Sequence, residues 1–147
     1  MRAVVQRVMQ AEVTTGGRSL GKIGRGFVIL LGVVRSDTEA DADYILDRVI
    51  GMRIFADTAG KMNLALGAVG GALLVVSQFT LHADTSQRRP SFTRAAPPDQ
   101  ALRLYDYFLS RARLRDVTVE SGEFGADMQL NLVNDGPVTI ILDSHLR

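Results

Sequence analysis

Ser77-Gln78-Phe79-Thr80-Leu81 follows directly on the apolar run Leu73-Leu74-Val75-Val76, and Asn134-Asp135-Gly136-Pro137-Val138-Thr139 lies near the C-terminus. Each puts hydroxyls, amides or bare backbone at the edge of what reads as a buried strand, where a chain can present polar groups to a ligand. A serine nucleophile at position 77 would need an imidazole. The only histidines are His82 and His145, and five residues along one strand direction hold His82 too far from Ser77 to take its proton. The simpler role for Ser77 and Thr80 is that of strand-end hydroxyls that bond the backbone. With no cysteine and no paired acidic motif beside either histidine, a metal centre has little to be built from, and none is expected.

Pro137 raises a different question. Val138-Thr139-Ile140-Ile141-Leu142 reads as a strand, and proline cannot donate a ladder hydrogen bond, so Pro137 must mark a strand start, an edge or a bend. Preceded by Gly136, it also admits a cis peptide. Turn chemistry alone accounts for the same pair as a tight turn entering the last strand. Gly16-Gly17-Arg18-Ser19-Leu20-Gly21-Lys22 has the spacing of a phosphate loop, but Ile23 stands where Ser or Thr must follow the lysine, so it reads as a hairpin connection. Gly67, Gly70 and Gly71 precede a strand and do not open a helix, so no dinucleotide fingerprint is present. Arg88, Arg89 and Arg94 flank the Ser77 segment and are the best candidates to meet phosphates. Arg111, Arg113 and Arg115 are explained equally well as cations favoured at a helix C-terminus.

The elements that position these residues follow from periodicity. Ala3 to Val8 and Ala11 to Thr14 form a first strand and its continuation, and Gly16-Gly17 signals a hairpin. Phe27 to Val34 is apolar at consecutive positions, the pattern of a central strand buried on both faces. Ser36-Asp37-Thr38-Glu39 has the form of a capping box. A helix follows with Ala42, Ile45, Leu46 and Val49 on one stripe and Gly51 as its stop. Pro97-Pro98-Asp99 opens a second helix with Ala101, Leu104, Tyr105, Phe108 and Ala112 on one face. Strands are expected at Arg53-Ile54-Phe55, Leu73 to Gln78, Val117 to Glu120, Met128 to Val133, and from Val138 onward. This is an α+β fold: one large, mostly antiparallel or mixed, barrel-like sheet with two main helices packed on it.

A chain of 147 residues with 46% apolar and 22% charged side chains is expected to form one globular domain spanning 1–147. The lack of cysteine fits a reducing compartment, and neither a secretory leader nor a membrane-spanning run is visible, so a cytoplasmic location is expected. The net charge of +1, from 17 basic and 16 acidic residues, provides no broad field for nonspecific binding to DNA. Any RNA footprint is therefore small.

Taken together in this order, the blocks Met1 to Val8, Met52-Arg53-Ile54-Phe55, Gly60-Lys61-Met62-Asn63, Ser77 to Leu81, Arg89-Pro90-Ser91-Phe92, Gly122 to Met128 and Asn134 to Thr139 resemble the D-aminoacyl-tRNA deacylase family, which hydrolyses D-amino acids from tRNA. The loop Ala83 to Pro90 departs from the family in being one residue shorter and lacking a glycine. The resemblance implies that Ser77, Gln78, Phe79 and Thr80 form the catalytic segment and that Gly136, Pro137, Phe124 and Met128 contact substrate. It implies no cofactor, catalysis by backbone groups with help from the terminal 2′-hydroxyl of the tRNA, and a homodimer in which Gly136-Pro137 enters the partner's pocket to exclude L side chains. Glycyl-tRNA would then be a further substrate. A related deacylase for another mischarged tRNA, or a noncatalytic nucleic-acid-binding module on the same fold, are the alternatives.

Overall fold

Strand Arg2–Thr15 (β1) is the spine around which the rest is arranged. A computed structural model describes residues 1–147. Gly16 and Gly17 both take positive φ, 54° and 76°, as a tight two-residue hairpin turn requires. They return the chain as Arg18–Ile23 (β2) and then Gly26–Gly32 (β3), which pair in succession along one edge of β1. The other edge pairs with Gln129–Asp143 (β8), so that Val5 lies between Ile29 and Ile140. Beyond β3 the sheet continues with parallel strands Ala72–Ser77 (β6) and Thr118–Ser121 (β7). Gly21 of β2 comes so near β7 that a Cβ on it would sit 3.1 Å from the Ser121 carbonyl, which nearly closes the sheet on itself.

Alternation on β3 and β6 shows why both faces are apolar. Phe27, Ile29, Leu31, Leu73 and Val75 enter a core of 23 buried residues shared with the helices, whereas Val28, Leu74 and Val76 join Val8, Ala11, Val13 and Ile23 on the opposite face. Strand β1 passes from the first core (Ala3, Val5) to the second (Val8, Ala11, Val13) across the stretch where its pairing with β8 twice shifts register. At Gly26 a Cβ would lie 1.9 Å from the Ala72 carbonyl, so β3 and β6 can meet there only through glycine.

Helices Glu39–Gly51 (α1) and Pro98–Arg113 (α2) cover the first core. Their predicted stripes are the buried residues, from Ala42 to Val49 and from Ala101 to Ala112. The start of α1 differs from expectation. Thr38, not Ser36, is the cap: the Asp41 carboxylate accepts the Thr38 N–H at 2.9 Å and its hydroxyl at 3.2 Å. Asp37 is buried and already accepts the Met1 ammonium and the Val34 N–H, so it cannot belong to the first turn. Gly51 is the last helical residue, and the chain leaves through an extended Met52 with no left-handed stop.

The expected strand at Arg53-Ile54-Phe55 reduces to Phe55–Ala56 (β4), paired with Met62–Leu64 (β5) in a separate small sheet, and the Arg53 side chain reaches across to the Asn63 carbonyl. The two expected C-terminal strands are one: β8 runs unbroken through Pro137. That is permitted because β8 pairs only with β1 and is an edge strand.

Candidate active site

The parallel strands β3 and β6 end side by side, with Leu31 opposite Ser77. A cavity of about 690 Å³ opens at these ends, the position where parallel strands with covering helices place ligands. Ser77 closes β6, and the Gln78 N–H donates to the Leu31 carbonyl at 2.8 Å, fastening the exit to β3. The chain then makes a short 3-10 turn, Phe79–His82. The Gln78 side-chain amide donates to the Thr80 hydroxyl at 2.5 Å, so the Thr80 side chain is tied to a neighbouring side chain and not to the backbone. His82 is also off the strand, yet no Ser-His pair results. It is buried, and its Nε2 has no hydrogen-bond partner. Burial first, then Arg2 and the N-terminal ammonium, hold the imidazole below its ordinary value against the opposing Gly32 backbone and Asp37.

Of the residues expected at the site, Ser77, Gln78, Phe79, Phe124 and Met128 line this cavity. Phe79 is exposed and meets Phe92 edge to face at 5.2 Å, forming an aromatic rim that sequence reading did not anticipate. Phe124 packs near Tyr105, whose buried hydroxyl donates to the Val75 carbonyl at 2.8 Å and whose pKa burial pushes up to about 12. Thr80, Gly136 and Pro137 are not among the lining residues. Leu130 lines the cavity from the start of β8, and Gly136 lies six residues further, roughly 20 Å along an extended strand. One chain therefore does not bring the two motifs together.

The second motif has its own construction. Gln6 pairs with Thr139 and Val8 with Asn134, leaving residues 135–138 to bulge opposite Arg7. Asn134 clasps the neck of this excursion, its side chain accepting the Val138 N–H and donating to the Thr139 hydroxyl, both at 3.1 Å. Arg7 holds it from below through the Asp135 carbonyl at 3.1 Å and is itself bonded to the Ile54 carbonyl. The Gly136-Pro137 bond is cis, and Gly136 has φ 127°. Both residues are exposed.

Half of the expected cations are engaged within the molecule, while Arg88, Arg89 and Arg113 are exposed and belong to no ion pair. Arg111, Arg115 and Arg103 join α2 to Asp43, Asp47 and Glu39 of α1, and Arg94 pairs with Asp84. The side chains with ligand spacing, Asp37, Asp41 and His145, lie outside the cavity and already hold the Met1 ammonium and Arg147. Burial raises the Asp41 carboxyl, but the Thr38 N–H, the Ser144 and Thr38 hydroxyls and the N-terminal ammonium outweigh it and bring it down to about 2.

A family model described as D-Tyr-tRNA(Tyr) deacylase matches residues 4–143. A D-aminoacyl-tRNA deacylase of Burkholderia cenocepacia (strain J2315) is 56% identical over 148 residues, with 97% of each chain covered. One of Lacticaseibacillus casei (strain BL23) is 53% identical over 148 residues, covering 100% of both. Among solved structures, a c-Myc DNA unwinding element binding protein is 40% identical with a TM-score of 0.92, covering 97% of this chain and 98% of that one. A probable eukaryotic D-amino acid tRNA deacylase shares the fold, with a TM-score of 0.81 at 18% identity and 96% and 97% coverage.

Proposed function

The chain belongs to the D-Tyr-tRNA(Tyr) deacylase family, a family of ester hydrolases, and on that premise we propose that its cavity beside Ser77-Gln78-Phe79-Thr80 takes the aminoacylated 3′ end of tRNA and releases the D-amino acid. The supporting observation is the construction of that segment. It is pinned to β3 at Gln78, it opens a tight turn whose first N–H groups, on Phe79 and Thr80, have no carbonyl one turn back, and it borders a largely apolar cavity. An aminoacyl ester has a good leaving group, so a placed water and donors for the tetrahedral oxyanion suffice. Backbone N–H groups of this turn supply those donors. Gln78 and Thr80 fix the turn's shape, and the 2′-hydroxyl of the terminal ribose assists in place of a protein base. Phe124 and Met128 contact the bound end from the far wall.

Chirality requires a steric filter, since D and L esters carry the same groups. We assign it to Gly136-Pro137 of a second copy of the chain. Three features support a homodimer: the motif is exposed, it lies too far along β8 to reach its own cavity, and β8 offers an unpaired edge of 15 residues with Val133 and Ile141 exposed. Such a filter excludes any L side chain and passes glycine, which makes glycyl-tRNA a secondary substrate. We take residues 1–147 as one domain that works with its substrate in the cytoplasm; no helix is long and apolar enough to cross a membrane.

A noncatalytic DNA-binding role has one observation behind it, the name of the 40% identical structure. Against it, eight arginines are engaged in ion pairs and the net charge is +1, leaving little to neutralise a duplex. The test of the shared site is complementation between Gln78→Ala and Gly136→Ala, each confirmed folded by its melting curve. If each site takes one motif from either subunit, mixing the two impaired variants raises activity above that of either alone, toward roughly a quarter of the parental level, since half the dimers are mixed and each holds one intact site. No restoration after subunit exchange would contradict the shared site.

A further inference from the structure

Fifteen of the 17 basic residues are arginine, and the structure sorts them. Besides those in ion pairs, Arg25 lies 5.0 Å over the Phe55 ring and Arg48 lies 5.3 Å over Tyr44. Arg35 is exposed, belongs to no ion pair, and is the one cation lining the main cavity. The one carboxylate lining the same cavity, Asp127, is also unpaired. The two opposite charges form no ion pair with each other and share a lining that is otherwise largely apolar.

The backbone that carries Arg35 is anchored on all sides. Its carbonyl accepts the Gln100 side-chain amide at 2.9 Å, the Ala96 N–H bonds the Val33 carbonyl at 2.9 Å, and the Asp37 N–H bonds the Val34 carbonyl at 3.1 Å. A guanidinium offered from a fixed base at the mouth of a cavity is suited to a phosphodiester, which it can meet with paired N–H donors. Asp127 repels the same charge. A phosphate is therefore favoured beside Arg35 and disfavoured beside Asp127.

We propose that Arg35 is a positioning residue that grips the phosphodiester joining the last two nucleotides of the substrate, so that the RNA enters the cavity past the end of β3 and the N-terminal approach to α1. This rests on the deacylase reading of the site. Arg35 touches no reacting atom. Its contribution is to binding and register of the 3′ end, and it is absent from any substrate lacking phosphate.

The experiment compares Arg35→Ala and Arg35→Lys with the parent on two substrates, D-tyrosyl-tRNA and the phosphate-free ester 3′-O-D-tyrosyl-adenosine, over a salt series. On the tRNA, Arg35→Ala should raise KM by about tenfold with kcat within about twofold, as loss of one charge-assisted contact requires. Arg35→Lys should recover most of the loss. The salt dependence of log(kcat/KM) should become shallower by about 0.7 for one single-stranded phosphate contact. On the phosphate-free ester all three proteins should react alike. Equal losses on both substrates, or an unchanged salt slope, would overturn the assignment of Arg35 alone. A parent protein inert on both would overturn the deacylase reading and this inference with it.

Discussion

Replacing Gly136 by alanine perturbs the structure at a point where its geometry gives a magnitude. As a loop glycine in the sequence, Gly136 would be expected to cost about 1 kcal/mol on substitution. The structure raises that figure. Its φ of 127° disfavours any L side chain, and an added Cβ would lie 2.7 Å from Val138 Cγ2, 3.0 Å from Arg7 Nη2 and 3.1 Å from the Val138 nitrogen. The backbone conformation costs about 1–3 kcal/mol and the crowding a further 1–3 or so. Arg7 cannot easily give way, because its guanidinium is bonded to the Ile54 and Asp135 carbonyls. A total of about 4 kcal/mol lowers Tm by about 8–16 °C in a domain of this size. Below that transition, where the variant is still folded, hydrolysis of D-tyrosyl-tRNA should fall steeply as the displaced loop no longer fits the neighbouring site. Differential scanning calorimetry and deacylation assays on D and L substrates read both effects. Parental melting would refute the geometry. Lowered melting with unchanged D and L rates would leave Gly136 as a turn residue and refute its part in the filter.

Thr80→Ala removes the acceptor of the Gln78 amide and should slow turnover by about tenfold or less, far short of the ~10⁴-fold loss that follows removal of a nucleophile; substrate ending in 2′-deoxyadenosine should lose most of its reactivity, and the reverse pattern in single-turnover kinetics would contradict assistance by the RNA. The depressed His82 pKa makes the unfolded chain the better proton binder, so the stability His82 contributes is complete above its unfolded value near 6.5 and is lost as pH falls through that value toward the lower folded one. Melting curves of His82→Phe should therefore be flatter than the parent's between pH 7 and 5, and parallel curves would show that His82 does not titrate on unfolding. Tyr105→Phe deletes one donor to the Val75 carbonyl, which keeps the Gly122 N–H at 3.2 Å, so the loss should stay near about 1 kcal/mol in chemical denaturation; a loss above about 3 kcal/mol would mean that the carbonyl is left unsatisfied.

Both helices were legible because apolar residues at i, i+3, i+4 and i+7 have one stable outcome, burial against a sheet, and α1 and α2 bury those residues. The central strand at Phe27 was legible for the same reason. The cap of α1 was not: Ser36-Asp37-Thr38-Glu39 satisfies the local pattern, but a tertiary partner, the buried Met1 ammonium, claims Asp37 and moves the start to Thr38. Pro137 reads as a strand boundary because a central strand cannot hold it. That β8 has only one neighbour, and can hold it, is a property of sheet order that no local window contains. At the site, Ser77 to Phe79, Phe124 and Met128 border one cavity; they were expected to act together through family resemblance and not through spacing. Arg35 escaped notice since nothing in Val34-Arg35-Ser36 marks it. Its lack of a partner becomes visible only after the neighbouring arginines have found theirs.

The central claim, chirally selective hydrolysis of an aminoacyl ester, is tested most directly by incubating the purified protein in catalytic amounts with D-tyrosyl-tRNA and L-tyrosyl-tRNA and following ester loss. The D ester should disappear over many turnovers while the L ester decays at its spontaneous rate. Equal consumption of the two, or consumption of neither, would contradict the account.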